Sequence, residues 1–86
     1  MTALARKNNC GRARIGLAIS KKNVRKAVER NRIRRTIRES FRQHLDLLRD
    51  LDIVILGRRG IDQKNNSELR AALEMHWNKL GRCKDS

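Results

Sequence analysis

The segment from residue 27 to about residue 48 constrains the fold most, because it carries an apolar stripe and a cationic row at one helical spacing. At 100° per residue, one side of such a helix is apolar and carries Ile33, Ile37, Phe41 and His44. The opposite side is polar and mainly cationic, and it carries Asn31, Arg34, Arg35, Arg38 and Arg42. The spacing therefore predicts a helix, able to break after His44, that packs through its stripe and turns its arginine row outward.

Positive charge is concentrated in the first half of the chain. The sequence has 86 residues, with 22 Lys and Arg against 9 Asp and Glu, and a formal net charge of +13. Residues 1–20 carry a net charge of +4, residues 21–42 carry +8 and residues 43–86 carry +1. This asymmetry favours a polyanionic partner, because each phosphate that a cation neutralises releases condensed counterions. An anionic membrane surface is the competing partner, and it requires a helix with bulky apolar anchors.

Length and composition limit the organisation of the chain. Its 86 residues suit one domain, here residues 1–86, and leave no room for a second core. No apolar run approaches the roughly 20 residues of a membrane helix, and the first residues lack the apolar stretch of an export signal. Cys10 and Cys83 lack the spacing of a metal or redox motif. We therefore expect a cytoplasmic protein with no membrane partner.

Three segments have the pattern of β-strands. Residues 14–20 alternate large apolar with small residues, which predicts a strand with one face on the core. Its other face carries the small residues Gly16, Ala18 and Ser20. Residues 1–7 are a candidate earlier strand, paired with it through a turn at residues 8–11. Residues 52–57 form a continuous β-branched run, typical of a buried inner strand. Two further cations follow its end, Arg58 and Arg59.

The last segment is predicted to be a second helix. Asn65 and Glu68 have the spacing of a capping box, which marks the start of a helix. Apolar residues then recur on one face, at Leu69, Leu73, Trp77 and Leu80. Gly81 is predicted to end the helix. We interpret Trp77 as a packing anchor rather than a platform for stacking bases, and His76 beside it as a partly buried structural histidine.

The arginine row is unusual for a helix that is merely solvated. Like charges recur at i, i+4 spacing, where each pair disfavours an isolated helix by roughly a few tenths of a kcal/mol. The basic positions from 26 to 38 are all arginine except Lys26. Arginine binds phosphate with a planar fork, whereas lysine acts as a point charge. The row therefore favours a phosphate-binding face.

The sequence carries no catalytic constellation of its own. Its two histidines have no Ser or Cys partner at a recognised spacing, and its acidic residues are too scattered to hold two metal ions. Asp50 and Asp52 are interpreted as a solvated pair, and no glycine-rich phosphate loop is present. We therefore expect neither a catalytic nor a metal-binding residue in this chain.

Three basic motifs occupy the first half of the chain. They are Arg-Ile-Gly-Leu at residues 14–17 with Ser-Lys-Lys-Asn at 20–23, Ala-Val-Glu-Arg-Asn-Arg-Ile-Arg-Arg at 27–35, and Arg-Glu-Ser-Phe-Arg at 38–42. Together they closely resemble the bacterial ribonuclease P protein component, and the embedded Arg-Asn-Arg is the specific part. The resemblance implies a small α+β two-layer sandwich, related to the second domain of a small-subunit ribosomal protein. It also implies a left-handed βαβ crossover, against the usual right-handed rule.

The resemblance further implies which residues contact RNA. The helix that docks on the RNA subunit in this family corresponds to Arg30, Asn31, Arg32, Arg34, Arg35 and Arg38, and Arg42 continues that row. Cations on the approach to the helix would reach the same RNA or the substrate, namely Lys21, Lys22 and Arg25. The open sheet face would hold the 5′ leader of precursor tRNA, with contacts from Arg14, Gly16, Ala18, Ser20, Arg58 and Arg59.

The implied function is that of the protein subunit of ribonuclease P, the endonuclease that removes the 5′ leader and forms the mature tRNA 5′ end. The RNA subunit would carry out the reaction, with Mg²⁺ held by RNA and substrate phosphates rather than by a protein site. Members of this family begin with an N-terminal helix that forms a wall of the leader cleft, and this chain is expected to lack it. Two alternatives stay open: a ribosomal-type RNA-binding protein, and a DNA-binding regulator that uses residues 33–42. No DNA partner is expected, because the row is so uniformly arginine.

Overall fold

The computed structural model describes residues 1–84. Its elements are β1 (Thr2–Lys7), β2 (Arg14–Ala18), α1 (Ala27–Arg42), β3 (Leu51–Leu56), a 3₁₀ turn (Ile61–Gln63) and α2 (Asn66–Lys84). The three strands form one sheet, and the two helices pack on each other and cover one of its faces. The predicted small α+β sandwich is therefore confirmed, with the core between the sheet and the helices.

β3 is the central strand, and the predicted pairing of the first two strands is wrong. The order across the sheet is β1–β3–β2, with β1 antiparallel and β2 parallel to β3. Residues 8–13 span the start of β3 instead of forming a local hairpin turn. The Asn8 N–H donates to the Asp50 carbonyl at 2.8 Å, and the Gly11 N–H donates to the Asp50 carboxylate at 2.6 Å. The most apolar strand gains most from the centre, because both of its edges are then paired and shielded from water.

The sheet buries one face and exposes the other. Leu51, Ile53 and Ile55 of β3 are buried under the helices, whereas Val54 between them is 42% exposed. β2 alternates in the same way, with its small residues on the exposed face, as predicted. The prediction of an inner strand at residues 52–57 is confirmed, and only one face of this strand is buried, because both helices lie on the same side of the sheet.

α1 begins at Ala27, as predicted, and ends at Arg42, before the predicted break after His44. The His44 N–H donates to the Phe41 carbonyl at 3.0 Å, an i→i+3 bond that tightens the last turn. Residues 43–50 then form successive turns that return the chain to the start of β3. Together β2, α1 and β3 form a βαβ unit with neighbouring parallel strands, and the left hand of this crossover stays a prediction of the resemblance.

α2 begins with the predicted capping box. The Glu68 N–H donates to the Asn65 side chain at 2.9 Å, and the Asn65 N–H donates to the Glu68 carboxylate at 3.4 Å. The predicted stripe is also confirmed, because Leu69, Leu73 and Trp77 are fully buried. The cap thus sets where the helix starts, and the stripe sets which side faces the core.

Gly81 does not end α2, and the prediction that it does is wrong. The helix continues to Lys84, and Gly81 is buried within it. A Cβ at this position would lie 2.6 Å from Leu47 Cγ, closer than two carbon atoms can approach. Glycine therefore serves the close packing of α2 against the turns after α1, and not the left-handed conformation of a helix end.

Trp77 joins the two helices, which confirms its interpretation as a packing anchor. Its side chain is fully buried, and its indole Nε1–H donates to Ser40 Oγ at 2.9 Å. Its ring lies edge-on to Phe41, with centroids 6.0 Å apart and planes at 64°. Ser40 and Phe41 lie on the buried side of α1, so these contacts fix the rotation of α1 about its own axis.

We expect Ser40→Ala to lower the free energy of unfolding by about 1–3 kcal/mol, because it leaves a buried indole N–H without an acceptor. Urea denaturation followed by tryptophan fluorescence measures the loss. Ser67→Ala is the matched control, since Ser67 is exposed on α2 and its loss should change stability by less than about 0.5 kcal/mol. Equal stability of the two variants would contradict the role of this hydrogen bond.

Candidate nucleic-acid interface

The outward side of α1 is exposed and cationic. We call its five polar residues the arginine face: Asn31, Arg34, Arg35, Arg38 and Arg42. Four of them are exposed and Arg34 is half-buried, while the apolar stripe on the opposite side is buried. The predicted two-sided helix is therefore confirmed. Its contact with RNA stays a prediction.

The arginines of this face have no acidic partner among the residues that the structure describes. The ion pairs there join Asp52 to Arg6 and Arg14, and Glu29 to Arg32. The guanidinium groups of the arginine face thus stay unneutralised along one side of a 16-residue helix. Like charges at this spacing repel, so the arrangement favours a ligand that neutralises several of them at once.

Arg30 and Arg32 flank Asn31 in the Arg-Asn-Arg motif, and both have internal partners. The Arg30 guanidinium donates to the carbonyl oxygens of Val24 and Arg25 at 2.9 and 3.0 Å. It therefore ties the loop before α1 to the first turns of the helix. The resemblance groups both side chains with the RNA-contact cations, and their hydrogen bonds to carbonyl oxygens depend on tertiary contacts that the motif does not show.

Arg32 connects α1 to the corner between the 3₁₀ turn and α2. Its guanidinium donates to the carbonyl oxygens of Asp62 and Lys64 at 3.2 and 3.1 Å, and to Asn66 Oδ1 at 2.8 Å. Glu29 accepts a fourth hydrogen bond at 3.0 Å and balances the charge. These contacts occupy most of the guanidinium donors. Arg32 therefore holds the start of α2 against α1, a structural role that competes with its predicted contact to RNA.

We expect Arg32→Ala to destabilise the protein by about 1–2 kcal/mol, because it leaves several acceptors without their donor. Arg32→Lys should recover little, since an ammonium group lacks the planar fork that reaches separate acceptors. Urea denaturation measures both variants. The control is Arg35→Ala, which removes an exposed side chain and should shift stability by less than about 0.5 kcal/mol. The same loss in Arg35→Ala as in Arg32→Ala would refute the bridging role.

The loop between β2 and α1 displays the predicted approach cations. All three are exposed: Lys21, Lys22 and Arg25. The loop is held by Asn23, whose Nδ2 donates to the Gly57 carbonyl at 2.8 Å, and by the fully buried Val24. The structure therefore brings these cations next to the start of the arginine face on a fixed loop.

The uncovered side of the sheet is the second predicted surface, which we call the open sheet face. The strand register places Leu4, Val54 and Gly16 in one row across it. Leu4 is 55% exposed, so this row is an aliphatic surface open to solvent. Ala18 lies on the same face, as predicted. Ser20 lies beyond the end of β2, where its hydroxyl accepts a backbone N–H of the loop at 3.2 Å.

The neighbouring row of the open sheet face is charged. Asp52 lies between two arginines, with carboxylate oxygens 3.8 Å from Arg6 Nε and 3.4 Å from Arg14 Nε. The predicted leader contact Arg14 is therefore partly neutralised. Sequence reasoning missed Leu4 and Val54 on this face, because their position depends on the strand order, although their alternation along β1 and β3 was a usable signal.

Asp50 and Asp52 are not the solvated pair that their spacing suggests. Asp50 adopts a positive φ of 67° and accepts a hydrogen bond from Gly11. Asp52 accepts one from Asn8 Nδ2 at 2.8 Å in addition to its two ion pairs. Both carboxylates therefore fasten the connection between β1 and β2 to the start of β3.

The structure separates Arg58 from Arg59, which the sequence groups as leader contacts. Arg58 lies at the corner of the open sheet face, where its Nε donates to Thr2 Oγ1 at 3.0 Å. Arg59 lines a cleft on the side of α1, together with Lys22 and Lys26. Of these two residues, Arg58 borders the open sheet face and Arg59 does not, and the leader contact of both stays a prediction.

The histidines belong to the packing of the helices. Both are half-buried, and His44 Nδ1 donates to the Ser40 carbonyl at 2.8 Å. Burial lowers the pKa of His76, and the positive charges of the N-terminus and Lys79 lower it further. Within the described part of the chain, no three His, Cys, Asp or Glu side chains group as metal ligands. None of the helices described combines the length and apolar character needed to cross a membrane.

The fold and the arginine face define a class of protein: a small basic α+β domain with an unneutralised cationic helix beside an open three-stranded sheet. A family model described as Ribonuclease P matches residues 1–81. The chain is 46% identical to the ribonuclease P protein component of Pseudoalteromonas atlantica over 87 residues, covering 100% of this chain and 72% of that protein. It is 49% identical to that of Marinobacter nauticus over 77 residues, covering 90% of this chain and 58% of that protein.

Solved structures are similar to the chain as well. The RNase P protein of Staphylococcus aureus has a TM-score of 0.79 at 30% identity, covering 91% of this chain and 71% of that one. The RNase P protein of Thermotoga maritima has a TM-score of 0.73 at 28% identity, covering 93% of this chain and 74% of that one. The chain therefore belongs to the ribonuclease P protein family. It spans 72% and 58% of the length of the two curated relatives named above.

Proposed function

We propose that this chain is the protein subunit of ribonuclease P. It binds the RNA subunit through the arginine face and the 5′ leader of precursor tRNA through the open sheet face. The complex cleaves the phosphodiester bond before the first nucleotide of the mature tRNA and so forms its 5′ end. The observation that carries this proposal is the arginine face, which lacks acidic partners among the described residues of a chain that belongs to this family.

The chemistry of the arginine face fits a folded RNA. Guanidinium groups at helical spacing can bind successive phosphates through their planar forks, and each neutralised phosphate releases counterions. The structured loop before α1 adds exposed lysines at the same end. A ribosomal-type RNA-binding protein would show similar physics, and the match to the ribonuclease P family disfavours that alternative.

The proposed leader contact uses charge and aliphatic surface rather than base stacking. The sequence has one Phe, one Trp and no Tyr, and both Phe41 and Trp77 are buried between the helices. The open sheet face instead offers Leu4 and Val54 as flat aliphatic contacts, with Arg58 at its edge. Stacking on aromatic rings is the usual source of affinity for unpaired bases, so we expect the leader to be bound mainly through its backbone.

The reaction chemistry is assigned to the RNA subunit. Mg²⁺ held by RNA and substrate phosphates would activate the attacking water and stabilise the leaving oxygen, as in other metal-assisted phosphoryl transfers. The protein would contribute positive charge that relieves the repulsion between the phosphates of two RNA molecules. We place the complex in the cytoplasm.

Replacing Arg35, Arg38 and Arg42 by Ala should weaken binding to a bacterial ribonuclease P RNA and flatten its dependence on salt. Each phosphate that the protein no longer neutralises lowers the slope of log K against log salt by about 0.7–0.9, so the triple variant should lower it by about 2–3. Fluorescence titrations at several KCl concentrations and constant Mg²⁺ measure the slope.

The matched control removes three exposed cations from α2, with Ala at Arg70, Lys79 and Arg82. This variant has the same net charge as the first one. It should keep most of the wild-type slope, because α2 does not carry the arginine face. Equal slopes for the two triple variants would mean that overall charge, and not α1, determines the binding of RNA.

The activity itself is tested by reconstitution. Adding the chain to a bacterial ribonuclease P RNA should restore the formation of mature tRNA 5′ ends at Mg²⁺ concentrations too low for the RNA alone, because protein cations then replace part of the metal. The chain without RNA should not cleave precursor tRNA. Cleavage that persists after nuclease treatment and repurification of the chain would overturn the assignment of catalysis to the RNA.

A further inference from the structure

Arg58 and Arg59 are consecutive and exposed, yet they serve different sides of the molecule. Arg58 donates to Thr2, which pairs with Leu56 in the outer row of the open sheet face. Arg59 lies on the other side of the strand end, in a cleft between the β2–α1 loop and the turn after β3. We call this concavity the loop cleft. Its four cations are Lys22, Arg25, Lys26 and Arg59.

The walls of the loop cleft are fixed by contacts outside it. Asn23 Nδ2 donates to the Gly57 carbonyl, and the Gly57 N–H donates to β2 at 2.9 Å. On the opposite wall, Gly60 has a φ of 91°, a left-handed conformation that glycine adopts without strain. The next residue, Ile61, is 2% exposed and anchors the turn in the core. The cations of the cleft are therefore held near each other by a preformed frame.

The loop cleft carries an excess of positive charge. All four of its cations are exposed, and none forms an ion pair or a side-chain hydrogen bond within the described part of the chain. Two acidic residues also line it, Glu29 and Asp62, and Glu29 is paired with Arg32. The four cations outnumber these two carboxylates, and the Arg32 pairing neutralises one of them, so an anion is the favoured occupant.

The position of the loop cleft selects the kind of anion. Lys26 is the N-cap residue immediately before α1, so the cleft opens at the N-terminal end of the helix that carries the arginine face. An RNA that binds α1 therefore meets further unpaired cations at the N-terminal end of the helix. The mixture of lysine point charges and arginine forks suits a phosphate backbone, in which phosphates lie at varied angles.

We propose that the loop cleft binds the phosphate backbone of the RNA subunit, and that Arg59 belongs to this contact rather than to the leader contact. Arg58 belongs to the open sheet face and to the leader. The inference rests on the proposed function, and it divides two neighbouring arginines between two different RNA molecules.

The test compares Arg58→Ala with Arg59→Ala, which remove the same charge from adjacent exposed positions. Two quantities are measured: the affinity for the RNA subunit alone at several salt concentrations, and the preference of the reconstituted complex for precursor tRNA with a leader over the same tRNA without one. Arg59→Ala should weaken binding to the RNA subunit by about fivefold at about 0.15 M salt and lower the salt slope by about 0.7–0.9, with the leader preference unchanged. Arg58→Ala should reduce the leader preference and leave the affinity for the RNA subunit unchanged.

The outcomes separate this inference from the proposed function. If Arg59→Ala leaves the affinity for the RNA subunit unchanged, or lowers the leader preference as Arg58→Ala does, the assignment of the loop cleft is wrong. Lys26→Ala is a second variant at the cleft and should reproduce the effect of Arg59→Ala. If Arg35→Ala on the arginine face also has no effect on the RNA subunit, the proposed function fails together with the inference. Circular dichroism and thermal denaturation verify that each variant is folded.

Discussion

The contact between α1 and α2 at Trp77 is the interaction on which the surface chemistry depends. The Trp77 ring packs edge-on against Phe41, and its indole N–H donates to Ser40 Oγ. Together these two contacts fix the rotation of α1 about its own axis. The cationic side of α1 can bind a ligand only if the helix cannot rotate that side toward the core of the protein. The packing of the apolar stripe therefore determines which guanidinium groups meet the solvent.

Positive charge in this protein is divided between structure and surface. Arg30 and Arg32 donate to carbonyl oxygens, and they hold the loop before α1 and the start of α2 against this helix. Arg6 and Arg14 share Asp52 on the open sheet face. The cations of the arginine face and of the loop cleft have no acidic partner in the described part of the chain. A count of basic residues therefore overstates the number of cations available to RNA, because a guanidinium group that donates to backbone carbonyl oxygens is not free to bind phosphate.

The two proposed RNA surfaces meet at the end of β3. Arg58 and Arg59 follow this strand, and the turn that begins at Arg58 places them on its two sides. The sheet separates a surface made of aliphatic residues and paired charges from one made of unpaired cations. The aliphatic surface suits a flexible single strand that is held loosely, and the cationic surface suits a folded RNA with closely spaced phosphates.

The amino-acid sequence by itself determined the elements that depend on local spacing. The stripe of α1, the capping box at Asn65 and the alternation of β2 follow from the periods of helix and strand, and the structure confirms them. The motif around Asn31 likewise identified the family. Tertiary structure alone decided the strand order, the packing role of Gly81 and the internal bonds of Arg32. These features depend on which distant residues become neighbours, and local spacing carries no information about a partner that lies far away along the chain.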